Sequence, residues 1–327
     1  MREPSCAVVI PVRCASARRL AYFQACLASA AAQSEAVYCL VVDDGSPMAS
    51  EVERAVLSRD WPIPPRYVRR AKPPLEAPTS AGALNLGFAL ALDEGPRSIE
   101  ALCYLHSDDL LPRRSVGARL IAARAGGLAW GRTLVLREKD STLNLWHENY
   151  VDPTRMRPEF THHSAMWSRQ VLEAAVRYSV RRYRATGVFD PSLAAYEDWE
   201  ASITIAECLN GLSIQGTFVD EYVYYYREQS EGIAGQTPRP VARAAARSLL
   251  DKHGLEYSFV DPPWGALKKI GALRKAVARL PEPLKAPLKF ARSAAKRILR
   301  GRRSRYSFPD ALLADPLLRG YRPGLRP

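Results

Sequence analysis

The chain has 327 residues, 47% of them hydrophobic, which supports a sizeable core and excludes global disorder. The formal net charge is +13, and all of the excess falls in residues 261–327, with 17 Lys and Arg against 4 Asp and Glu; residues 1–260 hold 30 of each sign. Cys6, Cys14, Cys26, Cys39, Cys103 and Cys208 lack CxxC or metal-ligand spacing and read as buried reduced thiols of a cytosolic protein.

The N-terminus runs straight into an apolar strand, Cys6 to Val12, which reads as the absence of a secretory leader. Ser16 is a helix N-cap candidate for a helix through Ala32, with Leu20, Phe23, Leu27 and Ala31 on one face. A second strand, Tyr38 to Val42, ends in Asp43-Asp44-Gly45-Ser46-Pro47. Seven prolines in residues 47–79 predict a loop-rich connection with one short helix, Glu51 to Ser58. A small-residue helix follows over Ser80 to Leu92, then a strand, Ala101 to Leu105, ending in His106-Ser107-Asp108-Asp109. Pro112 suits the first turn of the next helix. Strand and helix alternate, as in a mostly parallel sheet flanked by helices.

The second half changes character. Leu128 to Arg137 reads as a strand, a helix starts at Ser168, another spans Glu197 to Leu209, and Leu212 to Arg227 is strand-rich with four tyrosines. No apolar run reaches the roughly 18 residues of a membrane span.

The two acid pairs carry the functional signal. In open α/β sheets ligands gather at the carboxyl ends of strands. Paired acids there can accept hydrogen bonds from a nucleoside or hold a hard cation. Asp-Gly-Ser is also ordinary turn chemistry, which accounts for one Asp but not for a matching second pair. Glu197-Asp198 opens a helix, where acids are favoured by the helix dipole alone.

In their order, these segments resemble the family 2 glycosyltransferases, which have the GT-A fold. The segments are Val8-Val9-Ile10-Pro11-Val12-Arg13, Val41 to Ser46, Ala83-Leu84-Asn85-Leu86-Gly87, His106 to Asp109, and Glu197-Asp198-Trp199-Glu200. They cover about the first 230 residues, with His106 in place of an acid that the family often has. The resemblance implies an inverting transfer of a sugar from a nucleotide diphosphate donor, UDP-linked by preference, to a hydroxyl of a glycan or lipid-linked acceptor. It implies donor contacts from Pro11, Val12, Arg13, Asp43, Asp44, Asn85 and Asp108, with Asp44 facing the base. It implies Mn2+ or Mg2+ at Asp109, with Asp108 beside it, and Asp198 as general base with Glu197 orienting it. Adjacent strand histidines point to opposite faces, so at most one of His162 and His163 faces the cleft; His163 is a further candidate metal ligand. Lys72 and Arg227 are candidates for phosphate or acceptor contacts.

The expected organisation is a GT-A domain over 1–260, divided into a nucleotide-binding half, 1–115, and an acceptor half, 116–260, with a basic helical tail over 261–327. Trp264 to Leu280 and Leu284 to Arg300 each set apolar against basic residues, the pattern of a surface helix on an anionic membrane. That predicts a cytoplasmic protein, peripheral on the inner face of a membrane, with no nucleic-acid partner, since the tail has few aromatics to stack on bases. Two alternatives stand beside this reading. One is a nucleotidyltransferase, which would want a glycine-rich loop where Pro11 to Ser16 has none. The other is a degenerate nucleotide-binding or membrane-docked scaffold.

Overall fold

The computed structural model describes residues 3–74, 76–145, 162–212, 214, 216–229, 237–255 and 314–323. Residues 1–256 together with 319–327 form one compact body, and residues 257–318 a second. The described part of the second is short, with one 3-10 turn at Pro316–Leu318. The expected tail helices, Trp264 to Leu280 and Leu284 to Arg300, lie outside the described residues.

The main body is a mixed α/β fold around one large sheet. Its strands are β1 (Cys6–Val12), β2 (Val37–Asp44), β3 (Arg66–Arg70), β4 (Ala101–Tyr104), β5 (Leu128–Arg137), β6 (Thr142–Leu145), β7 (Met166–Ser168), β8 (Thr217–Glu228) and β9 (Arg322–Pro323). The order is β3-β2-β1-β4-β7-β5-β6-β9, with β8 beside β5. Strands β3, β2, β1 and β4 are mutually parallel, so all four point their carboxyl ends to one edge. Antiparallel β7 joins this block to β5, and β8 runs parallel to β5. β9 pairs with β6, so the last strand comes from the stretch assigned to the tail by composition.

The helices are α1 (Ala17–Ala31), α2 (Ala49–Leu57), α3 (Ala81–Asp93), α4 (Ser115–Gly126), α5 (Arg169–Tyr183), α6 (Glu197–Leu212) and α7 (Arg239–His253). The expected helix starts at Ser16 and Ser168 are both confirmed. Each serine hydroxyl accepts from a backbone N–H three residues on, Arg19 and Val171. Pro112 is not in a helix; its carbonyl closes a turn with Ser115 N, and α4 begins there. Strands β3, β6 and β9 and helix α7 have no counterpart in the sequence reading.

Alternation along β1 divides the core into two layers. Ala7 and Val9 pack with Leu40, Val42, Leu84, Phe88, Tyr104 and Trp167 on one face. Cys6, Val8, Ile10 and Val12 pack with Phe23, Leu27, Val41, Val56, Val116 and Leu120 on the other. Both faces are covered, which explains why β1 reads as one continuous apolar run. All six cysteines are buried and free. Among the described residues no helix is long and apolar enough to cross a membrane.

Helix α3 lies so close to the sheet that a side chain at Gly87 has no room. A Cβ there would stand 2.3 Å from Val9 Cγ1 and 3.2 Å from Leu40 Cδ2. Gly87→Val is expected to destabilise the body by about 1–3 kcal/mol through overpacking, read as a lower denaturation midpoint.

Candidate functional site

The site is assembled from the carboxyl ends of the parallel strands and the start of α6. After β1, the chain turns at Arg13. Pro11 and Val12 are buried in the sheet, so of the three expected donor contacts there only Arg13 is exposed. After β2, Gly45 adopts φ 73, a left-handed turn that suits glycine. Ser46 Oγ accepts from Cys14 N at 2.9 Å, tying the β1 and β2 ends together.

Asp43 is fully buried and its carboxylate is committed to the fold. One oxygen accepts from Ser46 N at 2.7 Å and the other from Tyr67 OH at 2.8 Å. Asp44 is 4% exposed and sits between two cations, Arg70 Nε at 2.6 Å and Lys72 Nζ at 3.0 Å. Lys72 also donates to the Thr79 carbonyl. In this structure the Asp44 carboxylate, expected to face the base, anchors β3 and the loop after it. Asn85, an expected donor contact, is likewise engaged within the fold. Its amide donates to the Phe189 carbonyl (2.8 Å) and accepts from Phe189 N (3.0 Å), locking α3 to the 187–190 turn.

The two acids after β4 divide their roles in the opposite way to the expectation. Asp109 is 1% exposed and accepts from Tyr224 OH at 2.8 Å and from Arg227 N at 2.7 Å. Burial, and then the charge of Asp108, push its carboxyl well above the usual range, while those two donors pull it back. Asp109 is thus enclosed by the fold, with both of these donors coming from β8. Asp108 is the open one, with 21% of its side chain exposed. It faces Arg19 of α1 at 3.5 Å and accepts from Gln229. Arg227, an expected phosphate or acceptor contact, is instead a strut. Its guanidinium donates to the Asp108 carbonyl and Glu138 and lies over the Tyr22 ring.

His106 stands where an acid was looked for. Burial holds its imidazole below the usual range, so it contributes no charge at neutral pH. Its ring meets Tyr104 edge-on at 5.1 Å and His163 at 5.5 Å. His163 stacks on Tyr224 and Tyr226 of β8. Its Nε2 is 3.4 Å from Asp198 Oδ2, so its partner is the expected base and not a metal set. The turn at His162–Ser164 is held from below by the fully buried Arg119 of α4, which donates to the Ser164 carbonyl at 3.0 Å. The His162 side chain lies outside the described residues.

Helix α6 brings the last two acids. Tyr196, immediately before it, is held at φ 66, a strained conformation for a bulky residue that turns the chain into the site. Asp198 is 24% exposed and one oxygen accepts from Trp199 N at 2.8 Å. Glu197 is buried and accepts from Ser80 Oγ at 3.3 Å. Burial and the neighbouring charge of Asp198 push Glu197 up to about 7. The structure thus brings Asp108, His106, His163 and Asp198 to one edge, and removes Asp43, Asp44, Asn85 and Asp109 into supporting contacts. The sequence reading missed Arg19 and Arg119. Position i+3 from the Ser16 cap marks Arg19 as the first-turn residue beside the strand ends; nothing in the sequence marks Arg119.

Among the described residues, no three His, Cys, Asp or Glu side chains are grouped so as to hold a metal ion. Magnesium-type sites use one or two carboxylates with substrate phosphates and waters, a demand that Asp108 alone can meet.

No family model and no curated protein sequence matches the chain. Solved structures are similar. S. aureus TarS 1-349 in complex with UDP-GlcNAc matches at 13% identity and TM-score 0.50, over 76% of this chain and 66% of that one. The same fragment with UDP matches at 12% identity and TM-score 0.49, over 76% and 65%. The mannosyltransferase PcManGT from Pyrobaculum calidifontis, in complex with GDP-Man and Mn2+, matches at 18% identity and TM-score 0.48, over 90% and 81%. The chain spans just under two thirds of the TarS fragment's length. The likeness to the UDP-GlcNAc complex is one of fold: a mostly parallel sheet flanked by helices.

Two outcomes follow from this geometry. Asp109→Ala strands the Tyr224 hydroxyl and the Arg227 N–H and is expected to cost about 3 kcal/mol of stability, whereas Asp108→Ala leaves the urea midpoint nearly unchanged. Glu197, raised from 4.5 to about 7, holds its proton in the folded state after the unfolded chain has lost it. Its contribution to stability is full below pH 4.5 and falls as pH rises toward about 7. Denaturation midpoints across that window should fall more steeply for the wild type than for Glu197→Gln.

Proposed function

We propose that the protein is a glycosyltransferase that moves a sugar from a nucleotide diphosphate donor to an acceptor hydroxyl with inversion. The observation that carries this is Asp198. It is a partly exposed carboxylate at the start of α6, 3.4 Å from the His163 imidazole, on the edge where β4 delivers Asp108. The resemblance of the strand-end and Glu-Asp segments to family 2 glycosyltransferases supports the reading. So does the fold likeness to TarS, whose structure holds UDP-GlcNAc.

In this mechanism the donor lies across the ends of β1, β2 and β4, with the exposed Arg13 and the half-buried Arg19 the cations there. Asp108 would hold Mn2+ or Mg2+, which would neutralise charge on the departing diphosphate. Asp198 takes the proton of the acceptor hydroxyl as its oxygen bonds to the anomeric carbon and the bond to the diphosphate breaks. Trp199 N fixes one oxygen of that carboxylate and His163 flanks the other, which keeps the accepting lone pair oriented. Glu197, protonated below about pH 7, stands beside the base without adding a second full charge.

A second reading, a nucleotide-binding protein without turnover, is favoured by one observation. Asp43, Asp44 and Asp109 are all committed to internal partners. The same assay separates the two. With a panel of UDP- and GDP-sugars and Mn2+, transfer or slow donor hydrolysis is expected from the wild type. Asp198→Asn should retain donor affinity by calorimetry and lose about 10²–10⁴-fold in kcat. Near wild-type turnover in that variant would sink Asp198 as the base. Donor binding with no turnover by the wild type would leave the second reading standing.

A further inference from the structure

Residues 1–256 have no net charge in their sequence, yet their charges are not evenly placed. Helix α5 with its cap, Arg169 to Arg184, carries Arg169, Arg177, Arg181, Arg182 and Arg184 against Glu173. Helix α7 carries Arg239, Arg243, Arg247 and Lys252 against Asp251. The pair therefore has a net charge of +7. The fold brings the two together over α6. Tyr178 and Tyr183 of α5 both bond Glu207 of α6, and His253 of α7 bonds Glu207 and Tyr183 at 3.0 Å each. Lys252 is spent internally on Glu200 and Asp190.

The arginines point the other way. On α5, Val171, Leu172, Ala175 and Ser179 are buried, and Arg177, Val180, Arg181 and Arg184 are exposed at helical spacing. On α7, Ala245, Ala246, Leu249 and Leu250 are buried, and Arg239, Arg243 and Arg247 are exposed at intervals of four. Among the described residues, Arg181, Arg182, Arg184, Arg239 and Arg243 have no recorded carboxylate partner, and Arg177 reaches Glu173 only at 4.0 Å.

Helix stability does not account for this pattern. Cations in the last turn of α5 suit the helix dipole, but Arg239 and Arg243 lie at the positive end of α7, where they oppose it. Like charges four apart, 177 with 181 and 239 with 243 and 247, repel. The α7 stripe is therefore mildly unfavourable to the isolated helix, and an anionic partner would relieve it.

We propose that the α5–α7 face docks on an anionic membrane surface. The arginines supply charge complementarity to lipid phosphates. Val180, 44% exposed and next to Arg181 and Arg184 on α5, adds an aliphatic contact. The tyrosines of these helices turn inward to Glu207, leaving no aromatic platform for nucleic-acid bases.

The test is vesicle co-sedimentation of the full chain. The wild type is compared with Arg181→Gln/Arg243→Gln, one change in each helix and neither near Asp108 or Asp198. On phosphatidylcholine–phosphatidylglycerol vesicles at 7:3, the partition coefficient is expected to fall about 30-fold, at about 1 kcal/mol per arginine. The melting temperature should be unchanged or higher, because repulsion is relieved. Partition of the variant equal to that of the wild type overturns the proposal. So does wild-type binding that is equal on pure phosphatidylcholine, absent on both, or found only for a soluble polyanion such as heparin.

Discussion

The Asp109 carboxylate is the joint on which the rest of the site depends. It ends β4 inside the protein, where an acidic group without partners would be costly. Its two donors, Tyr224 OH and Arg227 N, both come from β8, more than a hundred residues later. Paired backbone bonds between Leu110 and Tyr225 extend the same seam. Once β8 is fixed against the β4 end, Tyr224 and Tyr226 form the wall on which His163 stacks, and His163 reaches Asp198. The β4 end and the start of α6 are thus joined through one buried acid.

Local patterns foretold local structure. β1 was legible because both its faces are apolar, and α1 because Ser16 caps it and its core face repeats with helical period. β3 was hidden because Arg66-Tyr67-Val68-Arg69-Arg70 carries three cations, two of which, Arg66 and Arg70, become intelligible only when Glu94, Asp44 and Glu76 are placed opposite them. α7 was hidden because its buried face is short, Ala245, Ala246, Leu249 and Leu250, and the α6 acids Glu200 and Glu207 that hold its end are distant in sequence.

The site was legible as a set of segments and not as a set of roles. Sequence placed two acids after β4 and could not say which would be enclosed, since that depends on the long-range partners Tyr224 and Arg227. It took Asn85 as a donor contact by resemblance and could not see that Phe189 consumes both ends of its amide. It weighed His163 between metal and structure; the contact with Asp198 arises from a turn set by Arg119, forty-odd residues earlier. Summed charge concealed a related fact. A zero over 1–260 is the total of a positive α5–α7 pair and a negative remainder, and only the fold turns that difference into a face.

The strand β9 changes what kind of element the basic stretch is. Arg322 N bonds the Ser141 carbonyl, Tyr321 reaches Glu138 and Arg227, and β9 lies beside β6. The chain thus leaves the main body after residue 256 and comes back to it at 319. Residues 257–318 therefore leave and rejoin the main body as one excursion, at 256 and at 319. Cutting the chain at 256 would remove a strand of the sheet along with the excursion, whereas excising the excursion and rejoining its ends would leave the sheet whole.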